Sequence, residues 1–231
     1  MQIDFKKYPL PKRLRHHTAP NLYISANELK YPVDYYPPVI DKINWSDVFL
    51  NGKKPDMLDV GAGKGIFLLD SAELNPEKNI LGFELRLQIV EWLNNLIIGE
   101  NIPNSAVLWY NILNGFDFIE SESIEKIFYL FPDPWPKTKH IKRRPFNNEV
   151  ILSYHKILKK EGFLYIATDV EEVHDYHVNV LRKQNYFEYQ LILPQDSNEI
   201  RNSLWKLPVT NKERFCLKHK IPVFRIICKK S

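Results

Sequence analysis

The stretch Ile127–Arg144, IFYLFPDPWPKTKHIKRR, holds the residues with the clearest potential for chemistry. Its first part is short, apolar and β-prone and stops at a proline, which predicts a buried strand. Because Pro132, Pro134 and Pro136 fix φ and lack an N–H, the loop that follows should be stiff. Asp133 would then stand on a rigid turn at the carboxyl end of a strand, where open α/β sheets bind ligands. The alternative is an ordinary turn aspartate.

A run of cations follows this loop, namely Lys137, Lys139, Lys142, Arg143 and Arg144. We expect the last three, Lys142, Arg143 and Arg144, to contact phosphate groups. A solvated basic surface is the alternative. Trp135 could stack on a nucleic-acid base, although a tryptophan between two prolines is more often packed structure.

A second group of residues lies upstream, where a predicted strand over Met57–Val60 is followed at once by a glycine turn and by a predicted helix over Ile66–Leu74. The turn contains Gly61, Gly63 and Gly65. This order is typical of nucleotide binding, because glycines allow close approach of a ligand and the helix N-terminus faces it. A dinucleotide fingerprint would need glycine at position 66, so Ile66 argues against a pyrophosphate ligand. Glu84 follows about twenty residues later, where a carboxylate can accept hydrogen bonds from ribose hydroxyls.

The elements that must position these residues are predicted from hydrophobic patterning. The further strands are Asn79–Phe83, Ala106–Tyr110, Lys126–Leu130, Phe163–Ala167, Phe187–Leu193 and Pro222–Cys228; the further helices are Leu87–Ile98, Asn148–Lys159 (closed by Gly162) and one through Val173–Leu181. Alternating strands and helices predict an α/β fold, a doubly wound, mainly parallel seven-stranded sheet with helices on both faces. The last two strands are expected to pair antiparallel at the edge, joined by a polar loop with Trp205 and Thr210. Asn111 and Asp169, like Asp133, follow the ends of predicted strands.

The chain of 231 residues is 44% hydrophobic, which predicts one domain with a full core. Residues 1–50 are broken by prolines and are read as a basic N-terminal arm with one short helix near Ile43–Leu50, and residues 51–231 as the main domain. No apolar run reaches about 18 residues, so no membrane span is expected. The N-terminus lacks the apolar region of a secretory signal. The two cysteines have no metal-like spacing and fit free thiols in a reducing cytoplasm.

The net charge of +4 is unevenly distributed. Residues 1–17, 137–144 and 212–231 carry +4, +5 and +6, which leaves −11 on the rest of the chain. An acidic body with three basic segments indicates a polyanionic partner. The arm contributes Lys12, Arg13, Arg15, His16 and His17. The two histidines have no third ligand nearby, so no metal site is expected.

Four motifs resemble those of known proteins, the first of them a broad class and the other three one family. LDVGAGKG with Glu84 after the second strand resembles the S-adenosyl-L-methionine site of class I methyltransferases. FPDPWPKTKHIKRR is similar to the signature of the bacterial tRNA (guanine-N7)-methyltransferases, and Ala167–Asp169 to that family's fifth-strand ending. Thr210–Glu213 resembles its C-terminal Thr-x-x-Glu element. Together these motifs cover about residues 56–213.

The resemblance implies methyl transfer from S-adenosyl-L-methionine to N7 of guanine in tRNA, with guanine 46 of the variable loop as the expected target. It places Asp133 between the methyl donor and guanine as the catalytic residue. The implied cofactor residues are Asp59, Gly61, Gly63, Gly65, Glu84 and Asn111. The implied tRNA contacts, beyond the basic run, are Lys137, Asp169, Thr210, Asn211, Lys212 and Glu213. No membrane or obligatory protein partner is expected, and the protein would be a monomer or a homodimer.

Two positions depart from the family pattern, and two rival functions stay open. Asn111 replaces an aspartate that often reaches the adenine edge, and Lys212 replaces an aromatic residue. One rival is a methyltransferase acting on an exocyclic amine, but Asp133-Pro134-Trp135 lacks the second consecutive proline of its usual turn. The other is an RNA-binding module without catalysis, against which the presence of the glycine turn, Glu84 and Asp133 argues.

Overall fold

The computed structural model describes residues 3–12, 19–135, 141, 143–194 and 204–231. The chain divides into two compact units, Met1–Glu120 and Ser121–Ser231. Their strands belong to one seven-stranded, mainly parallel sheet, which confirms the predicted α/β fold. Among the described residues, no helix combines the length and apolar character that a membrane span requires.

The described part of the first unit forms three parallel strands, in the order β3-β2-β1, and two α-helices. The strands are β1 (Met57–Val60), β2 (Ile80–Glu84) and β3 (Ser105–Trp109), and the helices are α1 (Ile66–Leu74) and α2 (Leu87–Gly99). Every residue of β1 and β2 is buried. This explains why both strands lack polar alternation and are apolar except for Asp59 and the terminal Glu84, since a parallel sheet covered on both faces buries every position.

The described part of the N-terminal arm packs within the first unit. The Phe5 ring stacks on Trp92 of α2 with ring centroids 6.2 Å apart, and Trp92 Nε1 donates to the Tyr8 carbonyl at 3.2 Å. Three short 3-10 helices follow, at Pro20–Tyr23, Ala26–Glu28 and Trp45–Asp47. The third lies inside the stretch for which a short helix is predicted.

The described residues of the second unit form four strands, in the order β4-β5-β7-β6, and three α-helices. The strands are β4 (Ile124–Leu130), β5 (Leu158–Thr168), β6 (Phe187–Ile192) and β7 (Phe224–Lys230), and the helices are α3 (Asn148–Ile157), α4 (Glu171–Arg182) and α5 (Asn211–His219). β4 and β5 are parallel, whereas β7 runs antiparallel to both β5 and β6. The predicted antiparallel pairing of the last two strands is therefore confirmed.

The structure corrects the predicted end of one helix and a missed helix in the second unit. α3 ends at Ile157, because the buried Leu158 turns extended and pairs with Ile124 of β4; Gly162 lies inside β5 and does not close the helix. The segment between β6 and β7 contains α5, where only a polar loop is predicted. In that helix only Glu213 and Cys216 are buried, so its sequence has too little apolar periodicity to reveal it.

Candidate active site

The glycine turn of the first unit joins β1 to α1 and has left-handed backbone at Gly61, Gly63 and Gly65, with φ of 83°, 56° and 74°. Glycine is required at position 65 for a second reason, since a Cβ there would collide with the Leu93 side chain of α2. At position 61 a Cβ would meet nothing within 4 Å, so the backbone there is open to close approach. The predicted turn thus has the geometry that a backbone-contacting ligand needs.

Asp59 lies in β1 directly before this turn and is 4% exposed. Its Oδ2 atom has no hydrogen-bond partner among the described residues. Burial, and secondarily the charge of Glu84, raise the Asp59 pKa to about 7. An unsatisfied buried carboxylate oxygen favours a cationic ligand, because a positive charge would offset the cost of ionising it there.

Glu84, at the end of β2, is nearly buried and accepts four hydrogen bonds. Arg86 donates three of them, from its backbone N, Nε and Nη2, each at 2.9 Å. The fourth comes from the backbone N of Gly63 at 3.1 Å, which ties the carboxylate to the glycine turn. The sequence predicts the position of Glu84 but gave no sign of its pairing with Arg86.

Asn111 follows β3 and is 2% exposed. Its Nδ2 donates to the carbonyls of Leu22 and Ile24 and to the Tyr36 hydroxyl, at 3.2, 2.8 and 2.8 Å. Its Oδ1 accepts from the backbone N of Leu113 at 3.1 Å. In this structure Asn111 therefore fastens the N-terminal arm, and its contact with adenine stays a prediction.

In the second unit, Asp133 is exposed on the loop that follows β4. The backbone is left-handed on both sides of it, with φ of 52° at Phe131 and 42° at Trp135. Bulky residues seldom adopt this conformation, so the loop is strained and must be stabilised by its surroundings. Part of that stabilisation is the bond from the Phe131 N to the Ala167 carbonyl of β5, at 2.7 Å.

The basic run after Asp133 is only partly described. Lys137 and Lys142 lie outside the described residues, as do Arg13, Arg15, His16 and His17 of the arm. Arg143 is half-buried, with its guanidinium 5.0 Å from the centre of the Trp135 ring. Arg144 is 5% exposed and donates to the carbonyls of Pro134 and Trp135 and to Glu172 of α4. Arg143 and Arg144 thus have different environments, although the sequence predicts a phosphate contact for both.

Asp169, directly after β5, forms an ion pair with Lys212 of α5, with Oδ2 and Nζ 2.7 Å apart. The Lys212 ammonium also lies 5.4 Å from the centre of the Phe215 ring. Two residues that the sequence assigns separately to tRNA binding are thus brought together. Their contact with tRNA stays a prediction.

The Thr-x-x-Glu element forms the first turn of α5. Thr210 is the N-cap and accepts from the backbone N of Glu213 at 3.0 Å, and the exposed Asn211 is the first residue of the helix. Glu213 is buried and pairs with the equally buried Arg225 of β7 at 2.7 Å. Arg225 was not singled out from the sequence; its position inside an apolar strand, FRIIC, is the signal that could have indicated a buried partner for an acid.

Comparisons with known proteins give matches in both sequence and fold. The family described as "Putative methyltransferase" matches residues 53–226. A tRNA (guanine-N(7)-)-methyltransferase from an Exiguobacterium species is 30% identical over 83% of this chain and 87% of its own length. One from Lactobacillus gasseri is 33% identical over 69% of this chain and 74% of its own. A SAM-dependent methyltransferase structure from Aquifex aeolicus superposes with a TM-score of 0.51 at 15% identity, covering 83% and 95% of the two chains. This last likeness supports the fold alone.

Proposed function

The chain belongs to the tRNA (guanine-N(7)-)-methyltransferase family, and from that premise we propose that it transfers a methyl group from S-adenosyl-L-methionine to N7 of a guanine in tRNA. The observation that carries the proposal is the exposed Asp133 carboxylate on its strained, tethered loop. Guanine 46 of the variable loop is the proposed target, as the resemblance to the family implies. Residues 1–50 are proposed as a basic arm and residues 51–231 as the catalytic domain.

The side chains of the first unit fit this cofactor, which is a cation and supplies the methyl group bound to its sulfonium. The buried Asp59 oxygen that lacks a partner among the described residues would be satisfied by such a ligand. We assign Glu84 to the ribose hydroxyls and the turn of Gly61, Gly63 and Gly65 to close backbone approach. Because Arg86 takes three of the four hydrogen bonds of Glu84, the arginine side chain must yield part of them when ribose binds. Asn111 is proposed at the adenine edge, for which it would have to exchange its contacts with the arm.

The chemistry asks little of the protein beyond positioning and electrostatics. Guanine N7 has a lone pair and carries no proton, so no base is needed before it attacks the methyl group in line. Positive charge then develops on the guanine ring. A fixed carboxylate stabilises that charge more in the transition state than in the ground state. We assign this role to Asp133; a carboxylate that accepts from N1–H and the 2-amino group would also select guanine over adenine.

Binding of tRNA is assigned to the basic segments and to the residues around α5. Lys137, Lys142 and Arg143 are proposed as contacts from the basic run, and Asp169, Thr210, Asn211, Lys212 and Glu213 from the second group. Arg144, which the sequence predicts as a further contact, is buried. Since Asp169 is paired with Lys212, and Glu213 with Arg225, a base that binds either carboxylate must compete with an existing cation. Their use in recognition would therefore require rearrangement at these pairs.

The test is single-turnover methylation of tRNA, with the nucleosides identified by mass spectrometry. Wild-type protein should yield 7-methylguanosine, and a tRNA carrying adenine at position 46 should yield none. Asp133→Asn keeps the size of the side chain and removes the charge, so the rate should fall on the order of 10²–10³-fold with tRNA affinity within a few-fold. A product methylated on an exocyclic amine, or no product together with intact tRNA binding, would overturn the proposed reaction.

A further inference from the structure

Arg144 has the environment of a structural side chain, although its sequence context suggests a phosphate contact. Its Nε donates to the Pro134 carbonyl at 3.0 Å, and its Nη2 to the Trp135 carbonyl at 3.3 Å. Both carbonyls belong to the loop of Asp133. Resting on the function proposed for Asp133, we propose that Arg144 is a positioning residue that fixes this loop for the chemical step and does not bind tRNA phosphate.

The loop needs such a tether because its backbone is unfavourable on both sides of Asp133. Left-handed conformations at bulky residues such as Phe131 and Trp135 persist only where neighbouring groups enforce them. On the Phe131 side, the backbone bond to the Ala167 carbonyl of β5 does so. On the Trp135 side, the two carbonyls that Arg144 binds are those of Trp135 itself and of the residue before it. A loss of the second tether would let the Asp133 carboxylate move.

Arg144 is itself anchored to α4. Its Nη2 donates to Glu172 Oε1 at 2.8 Å, and its guanidinium lies 5.0 Å from the centre of the Tyr176 ring. A planar guanidinium can serve three acceptors in different directions at once, whereas a lysine ammonium is a point charge on a flexible stem. An arginine fork is therefore the group that can join the loop to the helix.

A phosphate contact by Arg144 would require this arrangement to be abandoned. The side chain would have to give up three acceptors and leave a site where it is 4% exposed. Arg143, the preceding residue, is half-buried with its guanidinium over the Trp135 ring. Of the two neighbours, Arg143 is the better candidate for contact with tRNA.

Two substitutions separate the roles. Arg144→Lys keeps the charge and loses the fork, so single-turnover methylation should fall roughly ten- to a hundred-fold, the scale of a misplaced reacting group. Affinity for tRNA should stay within a few-fold for this variant, and for Arg144→Gln the slope of log affinity against log salt should not change. Arg182→Gln, which removes one exposed positive charge from α4, is the matched control and should have no effect on the rate. A phosphate contact predicts the reverse: activity kept in Arg144→Lys, and a slope reduced by roughly 0.7–0.9 in Arg144→Gln.

A double-mutant cycle tests whether Arg144 acts through Asp133. In the Asp133→Asn background, Arg144→Lys should lower the rate by less than about two-fold, because the group it positions is already disabled. If the two losses multiply, Arg144 acts independently and the proposal fails.

Glu172→Gln weakens the hydrogen bond that anchors Arg144 to α4, and it changes an exposed side chain and not a buried one. The methylation rate should fall, as in Arg144→Lys, while tRNA affinity stays unchanged. An unaltered rate would count against the proposal. If tRNA incubated with wild-type protein and S-adenosyl-L-methionine contains no 7-methylguanosine, the proposed function itself is refuted.

Discussion

Among single residues of the first unit, Asp59 has an unfavourable electrostatic environment. Its carboxylate is buried in β1, lacks a partner at Oδ2 among the described residues, and lies within reach of the charge on Glu84. Proteins place such a group in an unfavourable environment where a ligand later compensates for it. The unfavourable free energy of ionising Asp59 therefore supports a cation-binding role. Its effect on stability and on cofactor binding depends on pH and can be measured.

The Asp59 pKa of about 7 predicts how stability and cofactor binding change with pH. The folded chain holds the Asp59 proton more tightly than the unfolded chain, whose carboxyl has an ordinary pKa of about 3.9. The contribution of Asp59 to the free energy of unfolding should thus fall as pH rises from about 4 to about 7 and level off above that. Binding of the cationic cofactor should lower this pKa and release a proton near pH 6. Calorimetry in two buffers of different ionisation enthalpy measures the released proton.

The matched variants are Asp59→Asn and Asp47→Asn, the second being an exposed acid of the same unit. Asp59→Asn should abolish the proton release, weaken cofactor binding and flatten that part of the stability profile. Asp47→Asn should leave all three unchanged. Binding by wild-type protein at pH 6 without any proton exchange would contradict the role given to Asp59.

At the same scale, the sequence located the side chains of the candidate site but not their partners. Glu84 and Asp133 were predicted because strand ends and glycine or proline turns are local patterns, whereas Asp59 was implied only by the resemblance to a known family. The contacts of Asn111 with Leu22, Ile24 and Tyr36, by contrast, join residues more than 70 positions apart. Such contacts depend on how the arm packs within the first unit, which no local pattern reveals.

At the level of elements, strands were easier to predict than helices of mixed polarity. β1 and β2 consist mostly of apolar residues because they are buried on both faces, and all seven strands of the sheet were predicted. α5 was missed because its outward side carries Phe215 and Leu217 while its two buried residues include an acid. Thr210 and Glu213, three apart, are a helix-start pattern that local reasoning could have used. Only half of that capping box forms, because the Glu213 carboxylate pairs with Arg225 of β7.

This pairing predicts that Glu213 stabilises the second unit. Glu213→Ala would leave the buried Arg225 cation without its carboxylate, which typically costs about 3–5 kcal/mol. Lys212→Ala, one residue earlier, removes the partly exposed pair with Asp169 and the surface contact with the Phe215 ring, and should cost no more than about 1 kcal/mol. Urea unfolding followed by circular dichroism gives both values.

A double variant, Glu213→Leu with Arg225→Met, provides the internal control. Apolar replacement of both partners of a buried ion pair is often close to neutral, so most of the lost stability should return. If Glu213→Ala unfolds at the same urea concentration as wild type and fails only to bind tRNA, the carboxylate is a recognition group and the structural role is refuted.

For the whole molecule, the three basic segments must overcome the charge of the rest of the chain. Residues outside them carry −11, which repels a polyanion at long range. The net charge of +4 alone would therefore underestimate the affinity for tRNA and would not indicate which segments bind it. Binding should depend on which cations are present and not merely on how many.

A charge-matched comparison tests this dependence. Replacing Lys12, Arg13 and Arg15 of the arm with glutamine removes three charges from a basic segment, and the slope of log affinity against log salt should shrink by roughly 2–3, at 0.7–0.9 per lost phosphate contact. Replacing Lys53, Lys160 and Lys183 removes the same charge from exposed positions outside the basic segments. That variant should keep the wild-type slope, because long-range repulsion changes equally in both cases and only local contacts release counterions. Filter binding across a salt series gives both slopes with one tRNA. Equal slopes for the two variants would mean that tRNA responds to net charge alone, and the arm would then have no specific role in binding.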